Sequence, residues 1–111
     1  LELFSMSQKS SWSFFTNHTH VLICLYLEPD VRLRDVAERI GITERAVQKI
    51  VSDLDNSDII ERSRHGRRNH YQVNVKAKLS SLFAEEQTVE DLLTAILKDK
   101  AKNSTVSPET V

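Results

Sequence analysis

LRDVAERIGITERAVQKIVSDLDN, residues 33–56, holds two helical patterns separated by a glycine. Leu33, Val36, Ala37 and Ile40 recur at i, i+3, i+4 and i+7, which predicts a short one-faced helix. Gly41 follows directly and suits the left-handed residue that closes a helix. Thr43 is the next N-cap, and Ile42 before it can staple onto Val47. The second helix is expected from Glu44 to about Asn56, with Val47, Ile50, Val51 and Leu54 on its buried face. Arg45, Gln48, Lys49 and Ser52 have the same spacing on the opposite face. A short turn joins the two helices, which is the geometry of a helix-turn-helix.

Downstream the period changes to two. Tyr71, Val73 and Val75 alternate with Gln72 and Asn74, predicting a half-buried strand. Ile59-Ile60 through Arg64 is its expected partner, with His65-Gly66 as the tight turn in which glycine supplies a positive φ. Upstream, Thr16 or Asn17 caps a helix running to about Leu27 whose second half reads as buried. Pro29 ends that helix, and Val31 to Leu33 is expected as a short strand. Trp12, Phe14 and Phe15 hold three of the seven aromatic residues, so they are expected to pack. Toward the C-terminus Val89, Leu92, Leu93, Ile96 and Leu97 form another helical stripe, with Thr88 as N-cap and Asp91 in the first turn. The expected organisation is a flexible segment 1–11, a domain over 12–78, a C-terminal helical region over 79–100 and a disordered tail 101–111.

The chain has 111 residues and 12.7 kDa, room for one modest core. The longest uninterrupted apolar run, Val21 to Leu27, is seven residues, far short of the ~20 that cross a bilayer. The single cysteine, Cys24, forms no internal disulfide, and no secretory leader pattern is evident. A transmembrane protein, a disulfide scaffold and a large multi-domain enzyme are excluded on these grounds, and a cytoplasmic location is expected. The net charge is −1, but it is unevenly placed. Residues 59–78 carry six Lys/Arg and one Glu, a net of +5, while the segments on either side are each −3. A basic block in an acidic chain is a local field of the kind that steers a polyanion.

Helix, short strand, helix, turn, helix and basic hairpin, in that order, make an α+β winged helix-turn-helix with a three-helix core, a two-stranded wing and a C-terminal helix. A helix of thirteen residues is about 20 Å long and fits the DNA major groove. On that helix Arg45 matches a guanine edge, Gln48 an adenine, and Lys49 a guanine or phosphate; Ser52 lies on the same face. Thr43 and the amides at the helix start can hold a phosphate. Glu44 stabilises the helix dipole and can accept from a cytosine amino group, though it repels a nearby phosphate. Arg64, His65, Arg67 and Arg68 at the hairpin tip can reach the DNA backbone or the minor groove. Any amphipathic helix has a solvated polar face; the basic hairpin in the required position is what favours DNA.

The stretch RLRDVAERIGITERAVQKIVSDLDNSDIIERSRHGRRNHYQVN resembles the winged-helix domain of small bacterial transcriptional regulators of the MarR/ArsR-like group. WSFFTNHTHVLICLYLEPD before it is similar to the first helix of such proteins, and together they cover residues 12–75. The resemblance implies that the helix from Glu44 is the recognition helix and that Arg64 to Arg68 form the wing.

Double-stranded DNA is therefore the expected partner. The stripe Val89, Leu92, Leu93, Ile96 and Leu97 either folds onto its own core or pairs with a second chain. A homodimer is favoured, since two-fold symmetry places two recognition helices about one DNA turn apart. The aromatic N-terminus can line that interface or close a small-molecule effector pocket. A protein–protein interaction module without DNA affinity is the alternative. Cys24 reads as a buried, inert thiol. His18 and His20 point to different helix faces, and no cysteine or carboxylate joins His65 and His70, so no metal site is expected. No nucleophile elbow or phosphate-binding glycine loop is present, and neither an enzyme nor a cofactor is expected.

Overall fold

Helix α1 (Asn17–Leu27) begins behind Thr16, whose carbonyl accepts from the amides of Thr19 and His20, although its side chain makes no capping bond. It buries Val21, Leu22 and Leu25, while Tyr26 and Leu27 remain exposed, so its second half is buried on one side only. Pro29 and Asp30 turn the chain. The computed structural model describes residues 12–80, 82–83 and 85–98. The expected flexible segment 1–11 and disordered tail 101–111 lie outside the described residues.

Helix α2 (Leu33–Ile40) buries Val36 and Ala37 and ends at Gly41, whose φ of 88° lets its amide close on the Ala37 carbonyl at 2.8 Å. Leu33 is thus the first helical residue, and the expected strand at Val31 to Leu33 does not form. The amphipathic face claims Leu33, and Val31 is buried in the core without a ladder. What remains of strand pairing there is one backbone bond, from the Tyr71 amide to the Pro29 carbonyl at 2.8 Å.

Helix α3 (Glu44–Asn56) starts as the sequence predicts, with Thr43 Oγ1 accepting from the Ala46 amide at 3.0 Å. Val47, Ile50, Val51 and Leu54 are buried against α1 and α2. Its end is a Schellman motif. The Ile59 amide donates to the Leu54 carbonyl at 2.9 Å and the Asp58 amide to the Asp55 carbonyl at 3.1 Å. Asp58 occupies the left-handed position at φ 62°, where glycine has no side-chain penalty. Asp58→Gly is expected to stabilise the fold by about 0.5–1 kcal/mol, read as a rise in the urea midpoint with an unchanged slope.

Strands β1 (Ile60–His65) and β2 (Arg68–Val73) pair antiparallel, from Ile60 opposite Val73 to His65 opposite Arg68. The two-residue turn is Gly66-Arg67, one position later than expected, because His65 belongs to the ladder. Gly66 at φ 66° leads the turn, the placement that matches the twist of the strands. The alternation predicted through Val75 outlasts β2. Val75, Ala77 and Leu79 are half-buried between exposed neighbours, and Val75 and Ala77 accept from the Glu90 and Val89 amides.

Those bonds dock helix α4 (Val89–Ile96), which opens with a capping box. The Asp91 amide donates to Thr88 Oγ1 at 3.3 Å, and the Thr88 amide to Asp91 Oδ2 at 2.9 Å. Val89 and Leu93 enter the core formed by α1–α3 and the root of the hairpin, with Leu97 packed against it. Leu92 and Ile96 are half-buried but outside that cluster. Part of the stripe assigned to dimerisation is therefore committed to the chain's own core. Trp12 and Phe14 do not pack into the core either; they meet each other edge-on at 4.9 Å and remain 66% and 87% exposed. Among the described residues no helix is long and apolar enough to cross a membrane.

Candidate nucleic-acid interface

Because α3 buries the Val47 stripe, its other side is presented to solvent, and Glu44, Arg45, Gln48, Lys49 and Ser52 are all exposed on it. The hairpin stands beside this face, with Arg64, His65, Arg67 and Arg68 exposed. Between the two runs a groove of about 600 Å³ with Val31 and Tyr71 at its base. Glu44 and Gln48 line one side, Arg67 and Arg68 the other, and Arg32 and Arg34 the end nearest α2.

Arg32 and Arg34 are absent from the set drawn from the sequence. Their signal was the Arg-Leu-Arg run at the start of α2, hidden by averaging over an acidic segment. Conversely, several expected contacts are partly engaged within the chain. Lys49 Nζ donates to Asp53 Oδ1 at 3.3 Å, and Asp53 Oδ2 lies 2.8 Å from His18 Nε2. Arg68 Nη1 donates to the Asp30 carbonyl at 3.1 Å, bracing the wing against the α1–α2 turn. Arg62 pairs with Asp55 and Lys78 with Glu86, which removes two cations from the basic block. Arg32, Arg34, Arg45, Arg64 and Arg67 have no carboxylate partner among the described residues. These five are the uncompensated positive charges of this side of the molecule.

Hydrogen bonds from His18 and Lys49 hold the Asp53 carboxyl below its ordinary 3.8. A depressed carboxyl stabilises the fold fully above the unfolded value and loses that contribution as pH falls through the lower folded value. Asp53→Asn is therefore expected to lower Tm at neutral pH, with the gap to the parent closing below about pH 3.8 in thermal melts across pH.

A second depression, of about 640 Å³, lies along the outer side of β1 and is lined by Asp55, Asp58 and Glu61. It is similar in size to the groove, but its three carboxylates outnumber its one cation, Lys76, the wrong sign for a polyanion. Trp12, Phe14 and Phe15 line neither depression. Cys24 is half-buried rather than buried; desolvation raises its thiol pKa and the nearby Arg39 guanidinium opposes the rise. One further correction concerns the histidines. The Asp30 carboxylate does join His65 and His70, with His70 Nδ1 at 2.7 Å from Asp30 Oδ1, a contact across forty residues that local pattern does not reveal.

No family model and no curated protein matches the chain. Among solved structures it is similar to the PcaV transcriptional regulator from Streptomyces coelicolor, described in complex with its natural ligand, at a TM-score of 0.50 and 22% identity. The fold is an α+β winged helix-turn-helix. The match covers 81% of this chain and 65% of PcaV, so the chain spans just under two thirds of that regulator's length.

Proposed function

We propose that the chain is a DNA-binding transcriptional regulator that lays α3 in the major groove and sets its wing on the backbone or in the adjacent minor groove. The observation that carries this reading is a groove between α3 and the wing lined by Arg32, Arg34, Arg67 and Arg68 against the single carboxylate of Glu44, with Arg45 and Arg64 exposed on the flanking elements and, like Arg32, Arg34 and Arg67, outside any ion pair among the described residues. Uncompensated arginines on a convex helix and a projecting hairpin suit phosphates at two separated points of a duplex. Arg45 and Gln48 carry the donor patterns that read guanine and adenine edges, with Ser52 on the same face. Thr43, already engaged by the Ala46 amide, keeps the helix start in shape for a phosphate, and Glu44 restricts how closely one approaches. The winged-helix likeness to a transcriptional regulator supports the same reading.

The chain acts as a homodimer in this proposal. Val89 and Leu93 are buried within one chain, so what the C-terminal region offers a partner is Leu92 and Ile96, together with the exposed Leu82 and Phe83; the exposed Trp12 and Phe14 add apolar surface at the other end of the chain. Those side chains are also the ground for the second reading, a protein-docking module without DNA affinity. Fluorescence anisotropy of a labelled generic duplex separates the two. Binding at low salt that weakens steeply as salt rises supports the DNA reading; a folded sample with no affinity at low salt overturns it. Sedimentation of Leu82→Ser/Phe83→Ser against the parent tests the dimer, which the double variant should weaken.

A further inference from the structure

We infer that Asp30, His65 and His70 form a binding site for a divalent transition-metal ion of the Zn²⁺ type beside the turn end of the hairpin. His65 pairs with Arg68 and His70 with Ser63, which makes the two histidines diagonal neighbours on one face of the ribbon. Their rings lie parallel, 10° apart, with centroids 4.6 Å from each other. Asp30 arrives from the α1–α2 turn, and one ligand atom from each of the three residues falls within 4.8 Å of the others. Two backbone-anchored contacts hold the turn in place: the Tyr71 amide on the Pro29 carbonyl, and Arg68 Nη1 on the Asp30 carbonyl. The donors therefore come from two paired strands and a turn fixed against them.

Two imidazoles and one carboxylate are the donor set of a three-ligand zinc site, with the fourth position left to water or an outside ligand. Mg²⁺ and Ca²⁺ prefer more oxygen donors than this site offers. Tetrahedral coordination with bonds of about 2.0–2.1 Å places ligand atoms about 3.3 Å apart. His70 and Asp30 are already near that spacing, and His65 closes the remainder by rotating an exposed side chain that makes no hydrogen bond among the described residues. The Arg68 cation nearby opposes binding and limits the affinity. Any effect of the metal on DNA affinity rests on the DNA reading; the site itself does not.

The test uses the untagged full chain without DNA, so its outcome is independent of that reading. Zn²⁺ is titrated in competition with a chromophoric chelator, and Co²⁺ is followed by its visible absorption. One equivalent should bind, with a cobalt band of low coordination number and a zinc-dependent rise in Tm. His65→Asn, which leaves the His70–Asp30 contact intact, should weaken uptake at least tenfold, as should Asp30→Asn, while His20→Asn should bind as the parent does. No stoichiometric uptake overturns the site, and so does uptake that survives His65→Asn or is lost in His20→Asn. Displacement by equimolar Mg²⁺ overturns the choice of metal.

Discussion

Arg64→Ala/Arg67→Ala is expected to weaken binding to duplex DNA roughly 10- to 100-fold at about 0.15 M salt and to reduce the slope of log K against log salt by about 2. Both side chains are exposed and lack an ion pair among the described residues, so removing them leaves no buried charge and breaks no brace. Stability should stay within about 0.5 kcal/mol of the parent. Arg68 makes a poorer probe. It also holds the Asp30 carbonyl, and its loss would mix a missing phosphate contact with a loosened wing. Lys78→Ala is the matched control, since Lys78 already pairs with Glu86 and should matter little. Unchanged affinity in the double variant would mean that the wing does not touch phosphate. Asp53→Asn should act in the opposite direction, because it releases Lys49 on the exposed face of α3 and removes a negative charge there.

Tyr71→Ala should have the largest effect on stability. Tyr71 is 1% exposed, its ring fills the space between the hairpin and the α1–α3 core, and its amide is the remaining backbone link from β2 to the α1–α2 turn. Truncating a buried aromatic of this size costs about 3–5 kcal/mol, a large share of the ~5–15 kcal/mol that holds a natural domain folded. The variant should be substantially unfolded at 37 °C and show a greatly lowered urea midpoint. Tyr71→Phe separates ring from hydroxyl. The hydroxyl meets Asn69 Nδ2 at a long 3.5 Å, so that substitution should cost less than about 1 kcal/mol. Equal losses in the two variants would place the stabilising interaction at the hydroxyl instead.

Most of the fold was legible because its signals are local. The Gly41 stop, the Thr43 cap, the bounds of α3 and the Thr88–Asp91 box each depend on residues within one helical turn, and the structure shows all of them. The misreadings fell where a residue serves two patterns. Leu33 suits both the end of a strand and the first position of an amphipathic helix, and the helix takes it. His65 precedes a glycine, as a turn residue would, yet its ladder bonds keep it in β1. The stripe from Val89 to Leu97 showed that a face would be covered without showing by what; Val89 and Leu93 turn inward, and Leu92 and Ile96 stay outside the core cluster.

The candidate interface divides along the same line. Exposure of Arg45, Gln48, Arg64 and Arg67 follows from helical and hairpin geometry, and the structure brings the α3 face and the wing together around one groove. The tethering of Lys49 through Asp53 to His18, of Arg68 to Asp30, and the entry of Arg32 and Arg34 into the groove all depend on long-range packing. No periodicity in the chain encodes those meetings. The same packing brings Asp30 to His65 and His70.

Amide NMR shifts of the ¹⁵N-labelled chain, recorded during titration with a short duplex at low salt, test the central claim most directly. The expected result is a set of perturbed amides at Arg32 and Arg34, along the exposed face from Thr43 to Ser52, and from Arg64 to Arg68. Shifts confined to α4 and the Leu82–Phe83 region, or no shifts from a folded sample, would contradict it.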